Sequence, residues 1–521
     1  MTTLNPTGKS LASLLQRAIH SQTQRTTRIN AAEKVHVVGA GAVVSAAYEQ
    51  LRNAAEYTEE HMLLQRAIRR FYRRLFLLRD KKQIERSGEE LAIELTQAGY
   101  ATNDSIPSVT VKRISELAQQ YYELYQKMHR KRGVSADTID TWTLDVLAVE
   151  VECLLQDMSL ENAYVEFCYG YYIQHGDVAS LFSKPPADLE AALYVAVQRA
   201  LLKSDEAFVR ASLLQRYQQK PSQVEAYVAT NKQLDTLFVS PTVEKLFRYV
   251  DRSGAPLRVL RQMIEANDDA PELLERKSAF LSAYETQIAK SYATINRRIN
   301  SGIIKSVIFL IITKFIIGIA IEIPYDKLVH GYIAWTPLLI NLFFPPLYMI
   351  LLRMTLMLPG PANTTRLVDK IDEMLYAPQS VKKLLHRNKI SFGTGYNVVY
   401  ALIFLIVFGG IGWGLHAGFG FDLLHLAIFF TFLSAASFLG FRLSRTIRDI
   451  EAVDSEQNGI TTVRDFLYMP FVVVGRFMNE KYSKVNIVAL MLDMVIELPL
   501  KTLLRLLRQW TAFIGTKKDA L

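Results

Sequence analysis

The chain has 521 residues, of which 50% are hydrophobic and 21% are charged, and its mean hydropathy is +0.10. This composition excludes a disordered tail protein and a collagen-like chain, and two cysteines are too few for a disulfide scaffold. A positive mean hydropathy beside 60 basic and 51 acidic residues predicts a chain divided between water and lipid.

The net charge of +9 first suggests a nucleic-acid-binding protein, but its distribution along the chain indicates otherwise. Residues 1–302 hold 38 basic and 36 acidic residues, whereas residues 303–521, the apolar part, hold 22 and 15. A DNA-binding protein would concentrate its basic residues on a soluble domain. The excess therefore points to membrane topology, and we expect a lipid bilayer rather than nucleic acid as the partner.

The first 300 residues have helical periodicity and almost no alternating strand pattern, so we predict an all-α cytoplasmic domain over residues 34–270. We expect residues 1–33 to form an N-terminal arm, with disorder as one alternative. Because the first 20 residues lack a long apolar core, no secretory leader is predicted. Cys153 and Cys168 are then expected to be reduced thiols.

A basic segment at residues 65–82 has eight basic residues and one acidic residue. Three interpretations remain open for it. It is a core helix whose arginines are solvated or paired with acids such as Glu56, Glu59 and Glu60, or it binds anionic lipid, or it binds RNA or another acidic partner. The arginines concerned are Arg66, Arg69, Arg70, Arg73 and Arg74.

Residues 271–302 are predicted to form a helix that connects the cytoplasmic domain to the first apolar stretch. A helix that continued unbroken over residues 272–323 would be a rod of about 78 Å at 1.5 Å per residue. The alternative is a domain helix followed by a separate span, with a kink at residues 300–302.

Four stretches have the roughly 20 apolar residues that a transmembrane helix requires. They are residues 303–323, 332–352, 396–415 and 423–441. The two short links between successive spans hold one basic and three acidic residues, whereas the other flanks are basic. The positive-inside rule therefore predicts that both termini and the loop at residues 353–395 are cytoplasmic.

Lys314 lies near the middle of the first predicted span, where a charge costs several kcal/mol. Asn341 lies at similar depth in the second span, and Pro345 and Pro346 interrupt that span's hydrogen-bond ladder, which would leave carbonyls free to accept from the ammonium. Glu322 is predicted to lie too far along a straight helix to pair with Lys314 directly. A tie between the two spans, an ion or substrate path, and snorkelling to the interface are the alternatives.

Two pairs of small residues, Gly410–Gly414 and Ala436–Gly440, predict close helix packing within the bundle or between protomers. In the C-terminal region, residues 442–521, a charged stripe over residues 485–507 predicts an amphipathic helix at the cytoplasmic interface. Residues 466–478 are too few to span a bilayer and are predicted to lie at the interface or to re-enter the membrane.

Two stretches carry a family resemblance. The first runs from Lys34-Val-His36 through Tyr48-Glu49 to Arg73-Arg74-Leu75, and the second holds Thr313-Lys314 and Glu322-Ile-Pro324-Tyr325-Asp326. Both are similar to an uncharacterised family of bacterial membrane proteins from organisms with very small genomes. The resemblance implies a bacterial host and a motif shared by Lys314 and residues 322–326. It implies no activity.

No catalytic, cofactor-binding or metal-binding motif is found, since Gly39-Ala-Gly41 and Gly8-Lys9-Ser10 lack the other residues of phosphate-binding loops. The leading hypothesis is therefore a non-enzymatic, polytopic inner-membrane protein. Its helical cytoplasmic domain would act as a scaffold or docking module for a protein partner or a second copy. The alternative is a channel or transporter component in which Lys314 lines a path.

Overall fold

The computed structural model describes residues 4–37, 45–46, 49, 62–130, 133–176, 178–267, 269–378, 394–452 and 459–484. The protein is all-α over these residues, which confirms the predicted fold class, and their only β-type pairing is an isolated bridge between Lys34 and Pro107. They form two compact units. We call residues 6–251 the helical unit, and residues 4–5 with residues 252–484 the span unit.

The helical unit is built around one short helix that is buried on nearly all sides. This helix, Val146–Leu155, has the sequence VLAVEVECLL and packs against three other helices of the unit. An all-round apolar helix is stable only inside a core, where neighbours cover every face. The helices are α1 (Pro6–Ala31), α2 (Leu63–Leu78), α3 (Lys81–Glu85), α4 (Ser87–Gln97), α5 (Ser108–Arg130), α6 (Ala136–Asp140), α7 (Val146–Leu155), α8 (Ser159–His175), α9 (Leu189–Val197), α10 (Glu206–Arg216), α11 (Val224–Phe238) and α12 (Pro241–Ser253).

The expected N-terminal arm is instead a packed helix. Helix α1 lies along α8 and buries Leu11 and Leu15 completely. Arg25 donates hydrogen bonds to the backbone carbonyls of Leu154 (2.6 Å) and Gln156 (2.9 Å), at the C-terminal end of α7. The alternative of a disordered arm is wrong because the apolar face of α1 has a partner surface that only the folded unit provides.

The span unit begins earlier in the chain than the predicted boundary after residue 270. Its helices are α13 (Ala255–Ala266), α14 (Ala270–Glu275), α15 (Lys277–Ile317), α16 (Ile323–Val329), α17 (Trp335–Thr355), α18 (Pro361–Leu375), α19 (Thr394–Phe419), α20 (Leu423–Arg448) and α21 (Gly459–Lys484). Helices α13 and α14 pack on α15, which is why they belong to this unit. The Tyr376 hydroxyl donates to the carbonyl of Leu274, and Arg258 donates to the carbonyl of Asp449.

The helix that leads into the first span is continuous and has no break at the predicted kink. Helix α15 begins at Lys277 rather than at residue 272, and it runs through residues 300–302 without a break. A π-helical turn, Gly318–Glu322, then joins it to α16, so that the helical run extends from Lys277 to Val329 over 53 residues. The long helix is therefore present from Lys277, and it lies wholly within the span unit.

Among the described residues, four helices are long and apolar enough to cross a membrane, as predicted. They are Lys277–Val329, Trp335–Thr355, Val398–Phe419 and Leu423–Arg448. Helix α17 continues as a helix through Pro345 and Pro346, both of which are buried. The prolines therefore do not end the second span, although each removes a backbone donor.

Helix α21 contains the whole segment, residues 466–478, that was predicted to lie at the interface or to re-enter the membrane. It packs along α20, and its Phe471 ring contacts Phe408 and Phe430, which lie near the middle of α19 and within α20. These contacts favour re-entry over a surface position. Residues 379–393 of the predicted loop and the predicted amphipathic helix at residues 485–507 lie outside the described residues.

Glu152 is an unusual residue of the α7 core. It lies on a mostly apolar helix whose other acidic residue is Glu150, and it is 5% exposed. Burial, with a smaller contribution from the negative charge of Asp205, raises the pKa of the Glu152 carboxyl from 4.5 to about 7. The folded protein therefore binds this proton more tightly than the unfolded chain does.

We predict that stability falls as the pH rises from 4.5 through 7, because in that window the folded state holds a proton that the unfolded state has released. The loss for this group is on the order of 3 kcal/mol. In Glu152→Gln the contribution of this group to the slope disappears, and the melting temperature of the full-length protein above pH 7 is higher. The control is Glu123→Gln, at an exposed position of α5. Equal pH slopes in wild type and Glu152→Gln would contradict the assignment.

Candidate intramembrane charge site

The centre of the span unit holds a buried ion pair. The Lys314 ammonium nitrogen lies 2.9 Å from Oε1 of Glu322, and each side chain is 1% exposed. The ammonium also lies 4.7 Å from the centre of the Phe432 ring of α20, a cation–π distance. Lys314 therefore neither snorkels nor relies on backbone carbonyls, because a carboxylate and an aromatic face take up its charge.

The pair forms because of the π-helical turn, and the prediction that Glu322 lies too far away is wrong. Eight residues of a straight α-helix make about 2.2 turns, which would place Glu322 out of line with Lys314. A π turn closes over one additional residue, so about seven residues of α-helical rotation remain, or 1.9 turns. The turn at Gly318–Glu322 thus aligns the two side chains on one face.

Asn341 connects this pair to another span. Its amide nitrogen on α17 lies 3.4 Å from Oε2 of Glu322 and 3.3 Å from the backbone carbonyl oxygen of His425 on α20. The amide therefore joins three of the four spanning helices. Pro345 and Pro346 are buried on the same helix, one turn further on, but the ammonium of Lys314 bonds Glu322 instead of a carbonyl freed by them.

A second group of ionisable side chains continues from Glu322 and Asn341 towards the end of the bundle where the short span-to-span links lie. Nδ1 of His425 is 2.7 Å from Oδ1 of Asp422, and Nε2 of His330 is 2.8 Å from Oδ2 of Asp422. Nε2 of His425 lies 3.4 Å from Oδ1 of Asp326, and both of these side chains are at most 1% exposed. We call the whole set the polar chain: Lys314, Glu322, Asn341, Asp326, His425, Asp422 and His330.

The polar chain changes from fully buried to partly exposed along its length. Lys314, Glu322, Asp326 and His425 are buried, whereas the side chains of Asp422 and His330 are 25% and 33% exposed. Burial alone would raise the pKa of the Asp422 carboxyl, but hydrogen bonds from His330 and His425 outweigh it and lower the pKa to about 2. Asp422 is therefore ionised at neutral pH.

The basic segment of the helical unit does not form a comparable site. On α2, Arg70 pairs with Glu49 at 2.7 Å and Arg74 pairs with Glu94 at 2.6 Å. The other arginines also have polar partners: Arg69 pairs with Asp145, Arg73 pairs with Asp140 at 3.5 Å, and Arg66 has a partner too. These contacts favour the interpretation of a core helix with paired arginines, whereas Glu56, Glu59 and Glu60 lie outside the described residues.

The two small-residue pairs differ in their surroundings. A Cβ on Gly440 would lie 1.9 Å from a methyl carbon of Leu352, and Ala436 is completely buried, so this pair lies at the contact between α20 and α17. Gly410 and Gly414 on α19 have no neighbour within 4 Å of such a Cβ among the described residues. On α21, a Cβ built on Gly475 would lie 2.2 Å from the backbone carbonyl oxygen of Ser434 on α20, so the two helices are in close contact there.

Sequence reasoning missed four members of the polar chain. Asp422 was predicted only as an acid of a short link. Asp326 was predicted as such an acid and as part of the motif that the resemblance implies, and His330 and His425 were not predicted at all. A signal existed for His425, since it is a polar residue in the first turn of an apolar helix whose N-cap is Asp422. No sequence signal indicated that Asp326 would face it.

No protein-family model, curated protein or solved structure matches this chain in the comparisons made. Groups of three or more potential metal ligands are also absent from the described residues.

We predict that Lys314→Leu destabilises the protein by about 3–5 kcal/mol, because it leaves Glu322 as a buried charge without its counter-ion. The double variant Lys314→Leu/Glu322→Leu should recover most of this loss, since two apolar side chains need no pairing. The measurement is thermal unfolding of the full-length protein in detergent micelles. A single variant as stable as wild type would contradict the buried pair.

Proposed function

We propose that the protein is a component of a membrane channel or transporter, in which the Lys314–Glu322 pair is the charged centre of an ion path. The observation that carries the proposal is the polar chain itself, which runs through contacts of 3.4 Å or less from Lys314 to the partly exposed His330. Ionisable residues inside a membrane are costly, and proteins retain them chiefly along ion or proton pathways.

We further propose that the membrane is the inner membrane of a bacterium and that both termini are cytoplasmic. The support is the basic character of the flanks at residues 297–305 and 442–448, against the acidic short links. In this orientation His330 and Asp422 face the extracytoplasmic side. The polar chain would then be open to water from that side, with Lys314 at its inner end.

A bundle of four spans encloses little space, so we propose that a conducting form contains more than one copy. The available surface is α19, whose spanning stretch is only 11% buried. Gly410 and Gly414 lie on this helix, and no described residue comes within 4 Å of a Cβ built on either one. Small residues on a free helix face suit close helix contact between copies.

We predict that liposomes containing the full-length protein conduct ions and that Lys314→Leu/Glu322→Leu reduces the flux by about tenfold, which corresponds to a barrier higher by 1.4 kcal/mol. The double variant is used because it retains a neutral, packed centre. Flux is followed with dyes for protons and for Na⁺ and K⁺ under an imposed potential.

The matched control for the flux measurement is Lys305→Leu, which removes an exposed lysine from the same helix. Its flux should stay within about twofold of wild type, a difference of less than 0.5 kcal/mol. If the double variant folds and conducts like wild type, the pair is only a tie between spans and the ion path is wrong.

The second candidate is the scaffold or docking function of the helical unit. The observation that favours it is a pair of exposed apolar residues at the end of α2, Leu77 and Leu78, which are 65% and 62% exposed. Exposed apolar side chains of this size suit a protein partner. Crosslinking in intact membranes tests this candidate, since repeated failure to find a stoichiometric partner would remove it.

A further inference from the structure

The imidazole of His425 lies between two carboxyl groups and contacts each with a different nitrogen. Nδ1 is 2.7 Å from Oδ1 of Asp422, and Nε2 is 3.4 Å from Oδ1 of Asp326. The side chains of His425 and Asp326 are 1% and 0% exposed. The protonation of this group can therefore be deduced by assigning a donor and an acceptor to each contact.

The contact with Asp422 assigns the first proton. Oδ1 of Asp422 also accepts the backbone N–H of His425 at 3.1 Å, and Oδ2 contacts His330 at 2.8 Å. Three such contacts, and the low pKa of this carboxyl, fit an ionised carboxylate, which can only accept hydrogen bonds. Nδ1 of His425 therefore carries the proton that it donates to Asp422. A neutral imidazole then has no proton on Nε2.

The contact with Asp326 is unfavourable unless a further proton is present. Oδ2 of Asp326 accepts the backbone N–H of Ala334 at 2.8 Å, so this oxygen is satisfied. Oδ1 of Asp326 and Nε2 of His425 have no hydrogen-bond partner among the described residues. Without a proton both atoms are acceptors that face each other in a buried site, and each would keep an unsatisfied lone pair. One proton between them turns the repulsion into a hydrogen bond.

We propose that Asp326 and His425 share one exchangeable proton, so that the ion carried by the span unit is the proton. The inference rests on the proposed function for its role in transport, but the bound proton itself rests only on the geometry. The proton is held either as a carboxylic acid on Asp326 or as an imidazolium on His425. In both forms the pair holds one proton more than an ionised aspartate and a neutral histidine hold.

Release of this proton requires only transfers along contacts that already exist. Asp326 gives its proton to Nε2 of His425, and His425 gives its Nδ1 proton to Asp422, whose side chain is 25% exposed and passes a proton to water. One proton leaves Asp326 and one enters water, and no electrons are exchanged. Afterwards His425 carries its proton on Nε2, which donates to the ionised Asp326.

The carboxyl groups of Asp326 and Asp422 face the imidazole of His425 directly, and His330 contacts the far side of Asp422. The centre of the Tyr325 ring lies 6.3 Å from the centre of the imidazole. A proton held between Asp326 and His425 therefore lies close to a second carboxyl group, that of Asp422.

The neighbouring helices add little net charge to this balance. From α15 and the π turn, Lys314 and Glu322 face the site through Asn341 as a pair whose charges cancel. On α21, Arg476 pairs with Glu480 of its own helix at 2.7 Å, and Lys481 lies over the Phe477 ring of that helix at 5.6 Å. The charged groups closest to the shared proton are therefore the two carboxyl groups and the imidazole of the site itself.

The test observes the proton directly on the full-length protein in lipid nanodiscs at pH 7. Infrared spectra detect a protonated carboxyl, and ¹⁵N NMR of labelled histidine detects an imidazolium. We expect one of two signals: a carboxylic-acid band that is lost in Asp326→Asn, or an imidazolium signal that is lost in His425→Gln. The control, Asp369→Asn at an exposed position of α18, should retain it. An ionised Asp326 beside a neutral His425 at pH 7 would overturn the proposal.

The variant Asp326→Asn is expected to fold, because its amide replaces the carboxyl group without loss of shape or hydrogen bonds. The amide of Asp326→Asn has the shape of a protonated carboxyl and can donate to Nε2 of His425 while its oxygen accepts from Ala334. This variant should therefore melt close to wild type, whereas Asp326→Leu should melt lower because Nε2 and the Ala334 N–H lose their partner.

Flux measurements on the same variants separate this inference from the proposed function. Proton flux that falls about tenfold in Asp326→Asn and His425→Gln supports both. A proton signal without any proton flux keeps the bound proton but overturns its role in transport. Flux of Na⁺ or K⁺ that these variants leave unchanged keeps an ion path and overturns the proton as its ion.

Discussion

A lysine ammonium buried among apolar helices requires a counter-charge within reach, and this requirement organises the centre of the span unit. Lys314 and Glu322 satisfy it at 2.9 Å, and the π-helical turn between them is the backbone change that makes the contact geometrically available. A regular α-helix would place the carboxylate on another face. The local irregularity of the first span is therefore part of its electrostatics and not a defect of the helix.

The same need for pairing extends the site across three helices. Once Glu322 is fixed by Lys314, its second oxygen faces Asn341, and the amide of Asn341 in turn contacts the carbonyl of His425. Each group in a low-dielectric interior must find a partner, so one buried charge orders a succession of polar side chains. The result is a succession of polar contacts from Lys314 to His425, and its partly exposed end lies at Asp422 and His330.

The helical unit handles its charges differently. On α2, Arg69 pairs with Asp145, Arg70 with Glu49 and Arg74 with Glu94. The first and third pairs are partly exposed to water, where the free energy of an ion pair is small. The acidic partners neutralise these arginines of α2, so the arginines do not form a strong anion-binding surface. In the apolar part of the span unit, by contrast, Lys314, Glu322 and Asp326 are buried, and these charges constrain the packing around them.

The sequence by itself determined the all-α fold class and the four candidate spans, because helical periodicity and long apolar runs are local properties. It also singled out Lys314, Asn341 and Glu322, since a polar residue in an apolar run is visible without a structure. Only the tertiary structure decided that Lys314 pairs with Glu322, because the aligning π turn has no clear sequence signal. The same holds for the meeting of Asp326 and His425, which are 99 positions apart and come together only when α16 meets the first turn of α20 in the folded unit. Residues far apart along the chain can still make such a contact in the folded protein, but a local sequence pattern cannot predict it.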